Sequence, residues 1–386
     1  MAPTRPVPIR TDGSNDFAHR SMTERVPGII DDVIARNPHY ADAIKADLRQ
    51  LRDDIVEDAP LQLFDPPALD HDWWRHRFEP HADETWLGTE WFFAEMLLYR
   101  RIVAAGRYWT TRRDPFRPFK EDELQSNALR DRVGAALAED APLRETIARR
   151  ILGALWGNRM DLSMQSVFKQ GTEAADDDLL RNDAPDVADH LLSGAPGPVH
   201  LLMDNAGTEE AFDLALADTL LQHDVASSVT LHVKMMPVLV SDVIGEDVFR
   251  LLDVLERHGG ELEALARRLH RFIRDDRLHI VPDPIWNTDA RLWELPPRLT
   301  TPFEEATLVV VKGDAHYRRI GNDAVWPPDA TLDDAVPDFP APLLALRTLK
   351  SDTLVGVDAD TVRRLDEEEP DWRTKGTYGV AQFTEA

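Results

Sequence analysis

The sequence predicts an α/β protein in two parts: a mainly helical stretch, 1–195, packed on a three-layer α/β/α domain, 196–386, with a largely parallel sheet. Three observations predict it. The first half carries apolar residues at three- and four-residue spacing, the period of an amphipathic helix. The second half alternates short apolar runs with helical patterns, the texture of strands joined by helical crossovers. Between them stands Ser193-Gly194-Ala195-Pro196-Gly197-Pro198, a dense group of chain breakers.

In order along the chain, helices are predicted over 22–36, 40–58, 90–108, 121–139 and 142–156. The segment 168–195 is acidic and partly loop-like, with Asp176, Asp177 and Asp178 in a row. A strand over 199–203 precedes a helix near 209–222. A strand over 229–236 precedes helices near 243–257 and 261–275. Further strands are expected over 278–282 and 306–311, the latter followed by a short helix, 315–320. β-like runs at 342–349 and 353–357 complete the pattern.

Composition narrows the chemistry. With 386 residues, 43% hydrophobic and 30% charged, the chain has the make-up of one large globular domain or two intimate ones. No apolar run approaches the roughly 20 residues of a membrane span, and the polar start, 1–20, has no apolar signal core; a cytoplasmic location is expected. The absence of cysteine excludes thiolate chemistry and leaves oxygen or imidazole donors for any metal. A net charge of −26 repels nucleic acid and anionic membranes, so neither is an expected partner. It also repels a phosphorylated substrate, so a phosphate site must bring its own positive charge. Lysine is scarce, seven among 44 basic residues, and Lys234, Lys312 and Lys350 lie in or just after apolar β-like runs.

In an open α/β sheet, ligands bind beyond the carboxyl ends of the strands. The strand at 199–203 runs into Asp204-Asn205-Ala206-Gly207. The strand at 229–236 is followed shortly by Ser241-Asp242, the strand at 306–311 by Lys312-Gly313-Asp314, and the run at 342–349 by Lys350. Parallel strands would bring these groups to one crevice. Two or three oxygen donors suit a hard divalent cation; lysines place positive charge against a phosphoryl group; Gly207 and Gly313 let backbone approach a ligand. Each aspartate also has the plainer reading of a helix cap. On 89–102, the stripe Trp91, Glu95, Leu98, Ile102 puts Glu95 on an apolar face, where Arg100 or Arg101 is the expected partner unless it faces ligand. The polar run 156–163, with Asn158, reads as a helix end or a loop lining the crevice.

Taken in order, Asp204-Asn205-Ala206-Gly207-Thr208-Glu209, Leu216-Ala217-Asp218, Val240-Ser241-Asp242, Val311-Lys312-Gly313-Asp314 with Tyr317-Arg318, and Arg347-Thr348-Leu349-Lys350 resemble the damage-control phosphatase family, domain of unknown function 89. The Arg-Thr-x-Lys element is similar to that of its third subfamily, which includes proteins named as acidic-residue methyltransferases. Gly157-Asn158-Arg159 with Asp161 also fits, as do Phe92, Ala94 and Glu95 with Tyr99-Arg100-Arg101, and the stretch around Phe17-Ala18 and 23–29. The resemblance implies a divalent metal (Mn, Ni, Co or Mg) on Asp204, Asn205 and Asp242. It implies substrate contacts from Asp204, Asn205, Asp314, Tyr317, Arg318 and Lys350, with Lys312, Glu95 and Asn158 as further contacts and Lys234 as a weaker addition. The implied substrates are small phosphorylated metabolites, sugar phosphates such as fructose 1-phosphate and fructose 6-phosphate. His316, Thr208 and Met160 depart from the residues expected at those positions, which bears on the choice of ester.

Asp204, Asp242 and Asp314 are the expected catalytic acids, with a cation-activated water as nucleophile and Asp314 as candidate proton shuttle. The Asp-x-Asp-x-Thr pattern of haloacid-dehalogenase phosphatases is absent around Asp204. Methyl transfer from S-adenosylmethionine to protein carboxylates is the alternative, with Glu209 and Asp242 as cofactor contacts by resemblance. Against it, no glycine-rich turn follows the first strand of the α/β domain. A non-catalytic sugar-phosphate binder is the third reading.

Overall fold

The computed structural model describes residues 5–65, 68–126, 129–157 and 178–385. Seven strands form one sheet: β1 Leu179–Asn182, β2 Gly197–Leu202, β3 Ala226–Lys234, β4 Leu278–Asp283, β5 Leu308–Lys312, β6 Leu343–Thr348 and β7 Gly379–Thr384. Their spatial order is β1-β7-β6-β5-β2-β3-β4. The five strands from β6 to β4 are mutually parallel. β7 runs antiparallel to β6, and β1 pairs parallel with β7.

The strand sequences explain the layers. Side chains alternate across a sheet with period two. In β5, Leu308 and Val310 join one core while Val309 and Val311 join another; in β6, Leu344 and Leu346 divide from Leu343 and Ala345 in the same way. Both faces are therefore apolar, as a parallel sheet covered by helices on both sides requires. One face is covered by helices Leu143–Trp156, Ala184–Ser193, Thr208–Gln222, Gly245–His258 and Gly260–Arg274. The other is covered by Pro297–Glu304, Gly313–Ile320 and Ala359–Glu368. A third core is built from the N-terminal helices Val26–Arg36, Asp42–Val56 and Trp91–Ala105, and takes in Met236, Val238 and Ala315 from the sheet's loop end.

Several elements differ from expectation. The helix predicted over 121–139 is broken into Arg117–Leu124, Leu129–Val133 and Gly134–Leu137. The run 353–357 is irregular rather than a strand; its backbone instead serves Arg347, Tyr317 and Gln382 as hydrogen-bond partner. Neither the edge strand β1 nor its neighbour β7 was read from the sequence, and nor were the helices Ala184–Ser193 and Ala359–Glu368. β1 is only four residues, too short to show a period. No helix among the described residues is long and apolar enough to cross a membrane.

Candidate active site at the carboxyl ends of the central strands

β2 has β3 on one side and β5 on the other, so the chain leaves this strand toward opposite edges of the sheet, and the residues that follow face the switch point. Asp204 and Asn205 follow β2 directly. The loop after β3 returns to them: Asn205 and Asp242 form an antiparallel bridge, Ala206 N–H donates to the Ser241 carbonyl at 2.7 Å, and Val243 N–H to the Asp204 carbonyl at 2.8 Å. Seven residues, 235–241, part β3 from Asp242, more than a simple turn, yet backbone bonds draw the two loops together. Asn205 Nδ2 donates to Asp204 Oδ2 at 2.7 Å and Glu209 Oε2 at 3.0 Å, while Asn205 Oδ1 accepts from Ser241 Oγ at 2.5 Å.

None of the three aspartates caps its helix. Helix Thr208–Gln222 begins after Gly207, whose N–H is taken by Glu210; Gly245–His258 begins after Ile244, whose N–H is taken by Asp247; Gly313–Ile320 starts at the glycine before Asp314. The carboxylates at 204, 242 and 314 are thereby released from the plainer role. Gly207 and Gly313 adopt φ of +92° and +83°, the left-handed region that glycine tolerates. At Gly313 a side-chain methyl would overlap the Asp204 carboxylate, and at Gly207 it would overlap Glu123.

Two buried lysines serve the acids. Lys234 Nζ lies 2.9 Å from Asp242 Oδ2, donates to the Met203 carbonyl at 2.7 Å, and meets His316 Nε2 at 3.0 Å. Burial, with Lys234 and Arg319 nearby, keeps His316 well below its usual value, so it is neutral and Nε2 accepts from the ammonium. Lys312 Nζ donates to Glu209 Oε1 at 3.0 Å and to Asp213. Asp204, Glu209, Asp213 and Asp242 are thus four buried carboxylates around two buried ammonium groups, Lys234 and Lys312. The imbalance shows in their acidity. Burial first, then the neighbouring Glu209 and Asp242, pushes the Asp204 carboxyl well above the usual range, against the pull of Lys234 and Lys350. Burial also raises Asp242, with Lys234 opposing it. Burial raises Asp213 to about 7 despite Lys312.

The other expected residues divide. Asp314 is held by Arg347 Nε at 2.8 Å, Lys350 N–H at 3.2 Å and Ser351 Oγ at 3.1 Å. Although burial works the other way, Arg347, Arg318 and Lys350 together hold its carboxyl below the usual carboxylate range, so it is ionised. Lys350 is exposed, its backbone N–H binds Asp314, and its charge acts on both Asp314 and Asp204. Tyr317 is buried, its hydroxyl donating to Gln382 Oε1 at 2.8 Å. Arg318 is also buried, spanning Asp323 at 2.6 Å and Glu95 at 2.5 Å. Glu95 therefore pairs with Arg318 and Arg25, not with Arg100 or Arg101 as expected. Five or six residues along a helix turn a side chain to another face; Arg100 instead pairs with Asp70, and Arg101 lies nearest Asp54. Asn158, with Met160 and Asp161, lies outside the described residues. Sequence reasoning missed Glu209 as the hub joining Asn205 to Lys312, Asp213 as the second acid on Lys312, and Lys120, whose Nζ donates to the Asp242 carbonyl at 2.8 Å. Acids one helical turn apart at 209 and 213 were the available signal.

Fit to a divalent cation can be judged from this donor set. Among the described residues, no three acidic or imidazole side chains stand as a ready-made metal group. The adjacent set is two carboxylates and an amide, Asp204, Asp242 and Asn205. It fits a hard cation by charge: burial, and then the neighbouring carboxylates, favour the protonated forms of Asp204 and Asp242, and a cation competes for the same oxygens.

Comparison with known proteins agrees with this architecture. Residues 21–365 match the family model described as the damage-control phosphatase ARMT1-like domain. The chain is 27% identical to the damage-control phosphatase ARMT1 of Danio rerio, covering 100% of this chain and 98% of the relative. It is 26% identical to that of Mus musculus and 24% identical to that of Homo sapiens, with 98% of both chains covered in each case. A crystal structure of a DUF89 family protein from Pyrococcus horikoshii superposes with a TM-score of 0.51 over 95% of this chain and 96% of that one, at 12% identity, so the fold is shared. An α/β fold of this topology, with the motif residues gathered at its switch point and a family match along nearly the whole chain, makes this protein a member of the ARMT1-like damage-control phosphatase family.

Proposed function

We propose that the protein is a metal-dependent phosphomonoester hydrolase acting on small phosphorylated metabolites in the cytoplasm, with sugar phosphates such as fructose 1-phosphate or fructose 6-phosphate as its substrate class. The observation that carries this reading is the buried surplus of carboxylate around Asn205, where four acids, Asp204, Glu209, Asp213 and Asp242, face two lysines, Lys234 and Lys312. Asp204, Asn205 and Asp242 would hold Mn, Ni, Co or Mg, which when bound polarises a phosphoryl oxygen and makes water more acidic.

The chain's own groups supply the rest. Lys350 brings an exposed ammonium to the rim for the substrate's phosphate, the local positive charge that a −26 protein must provide. The free backbone N–H groups at the start of helix Gly313–Ile320, beside Asp204, add dipoles of the same sense. Asp314, held ionised by Arg347, is suited to accept a proton from the attacking water rather than to donate one. Glu95, Tyr317 and Arg318 act in this reading by building the wall behind Asp314, and Lys312 by fixing Glu209 and through it Asn205.

Phosphate release from fructose 1-phosphate and fructose 6-phosphate, with and without Mn or Co, tests the reading. Metal-dependent release is expected, with at least a hundredfold loss in Asp204→Ala and in Asp242→Ala. Release unaffected by both substitutions, or by chelation, overturns it. Methyl incorporation into protein without phosphate release would favour the methyl-transfer alternative instead.

A further inference from the structure

Most of the cations around the Asp204 crevice are spent on their neighbours. Lys120, Lys234 and Lys312 are buried, and their ammonium groups hold Asp247, Asp242, Glu209 and Asp213. Arg347 donates through Nε to Asp314, through Nη1 to the Thr353 carbonyl and through Nη2 to Ser351. Arg318, buried as well, gives Nε and Nη2 to Asp323 and Nη1 to Glu95. A substrate phosphate would take these only by leaving a buried carboxylate unpaired, a costly exchange. A phosphate monoester carries about two negative charges near neutral pH, and the exposed Lys350 offers one positive charge against them.

The second arginine on Glu95 is different. Arg25 Nη2 meets Glu95 Oε1 at 2.5 Å, across the carboxylate from Arg318. Its Nε and Nη2 also donate to Ser21 Oγ at 3.0 and 2.8 Å, whereas Nη1 donates to none of the described residues. Half of the side chain, 50%, is accessible. Yet burial weighs on this guanidinium more than any single neighbour does. At Arg144, equally accessible at 51%, the bond to Asp189 comes first and burial counts for less. A side chain open to solvent and still surrounded by protein lines a concavity. Contacts tie that concavity to the crevice. Arg318 stands one turn after Asp314 on helix Gly313–Ile320, and Gly313 abuts the Asp204 carboxylate. Tyr99, one turn after Glu95 on helix Trp91–Ala105, has Arg25, Glu95 and Asp242 all acting on its hydroxyl. The backbone is also unusual here: Ser21–Arg25 is a π turn within an otherwise α-helical run, 16–36, a distortion frequent at functional sites.

We infer that Arg25 is a substrate-binding residue of this crevice, its open guanidinium edge taking oxygens of the ester's phosphoryl group, with Glu95 as the positioning residue that holds it. The inference rests on the phosphatase reading for the nature of the ester, and on the contacts of Glu95, Arg318 and Tyr99 for the place of Arg25.

Two measurements on the Mn-loaded full chain test it: calorimetric binding of inorganic phosphate, and KM and kcat for fructose 1-phosphate. Arg25→Met should weaken phosphate binding and raise KM by about tenfold or more, the loss of a charge-assisted hydrogen bond. Arg25→Lys keeps the charge and the pair with Glu95 but not the planar fork; it should lose about threefold or more in phosphate affinity with little change in Tm, so it remains informative should the methionine variant unfold. Arg144→Met, the same charge change on the outer surface, should match wild type in both measurements. Phosphate affinity within about twofold of wild type in both Arg25 variants overturns the inference and leaves metal-dependent turnover standing; so does a change in KM without one in phosphate affinity, which would put Arg25 against the sugar. Wild type that binds phosphate through Arg25 but releases none from either fructose phosphate overturns the phosphatase reading alone, and wild type that does neither overturns both.

Discussion

Glu210 sits in the first turn of helix Thr208–Gln222, fully buried, with Oε2 accepting the Gly207 N–H at 3.2 Å and Oε1 without a partner. Burial, and then the charge of Asp247, pushes its carboxyl well above the usual glutamate range, making it a weaker acid. The folded state therefore binds a proton that the unfolded chain has released once pH passes about 4.3. Stability from this group is present at acid pH and falls as pH rises from there through the raised native value. Glu210→Gln keeps the acceptor for Gly207 and removes the charge. It should raise stability at pH 8 by about 1–3 kcal/mol and flatten the fall of Tm between pH 5 and 8, measured by thermal unfolding across that range; an equal fall in wild type and variant would refute the assignment. Gly313 offers the opposite case. A non-glycine residue in the left-handed region costs about 1–2 kcal/mol, and an alanine there also displaces Asp204. Gly313→Ala should cut phosphate release at least tenfold while circular dichroism still reports a folded chain; full turnover would show that the close approach of Gly313 to Asp204 is dispensable.

At the scale of elements, the segment between β3 and Asp242 is held in place by the N-terminal helices. Leu239 and Val240 have φ of +50° and +68°, unusual for side chains of this kind and β-branched in the second. Met236 and Val238 are buried in the helical core, with Leu239 and Val240 packed against it, so apolar contact sustains the backbone. Helix Arg117–Leu124 adds a polar brace: Lys120 Nζ reaches the Asp242 carbonyl at 2.8 Å, Asp247 at 2.7 Å and Asp114 at 3.2 Å. Removing one partner of a buried ion pair costs about 3–5 kcal/mol. Lys120→Met should lower stability by about that amount in denaturant titration. Because Asp242 loses its brace, it should also lower kcat more than it raises KM; unchanged kcat in the folded variant would confine Lys120 to a structural part.

At the scale of the molecule, the charge of −26 sets the response to salt. Like charges repel in the compact state, and the Debye length shrinks from about 30 Å at 0.01 M to about 3 Å at 1 M. Exposed ion pairs such as Arg144–Asp189 and Arg364–Glu368 weaken over the same range but are worth little each. Repulsion wins, so Tm should rise by several degrees between 0.01 and 1 M KCl in differential scanning calorimetry. A falling Tm would mean that the surface pairs outweigh the net charge.

Much of the parallel sheet was legible because its strands are short, apolar on both faces and separated by helical periods; β2 to β6 fall within a few residues of where alternation put them. β1 and its neighbour β7 were not, since β1 is four residues long and β7 follows a polar stretch, and their pairing is decided by tertiary contact rather than by pattern. The site divides similarly. That Asp204, Asn205 and Asp242 end or follow strands was evident from the chain, and a topological rule brought them to one crevice. That Glu95 turns to Arg318 and Arg25, that Tyr317 turns to Gln382, and that Glu209 ties Asn205 to Lys312 was not. By itself the sequence determined the layered α/β class, the order of the motifs and the charge of the surface, because periodicity and composition are local properties. Only the tertiary structure decided which buried acid meets which buried cation, because that choice depends on distances of a few ångströms between residues up to 223 positions apart, where desolvation makes each unpaired charge costly.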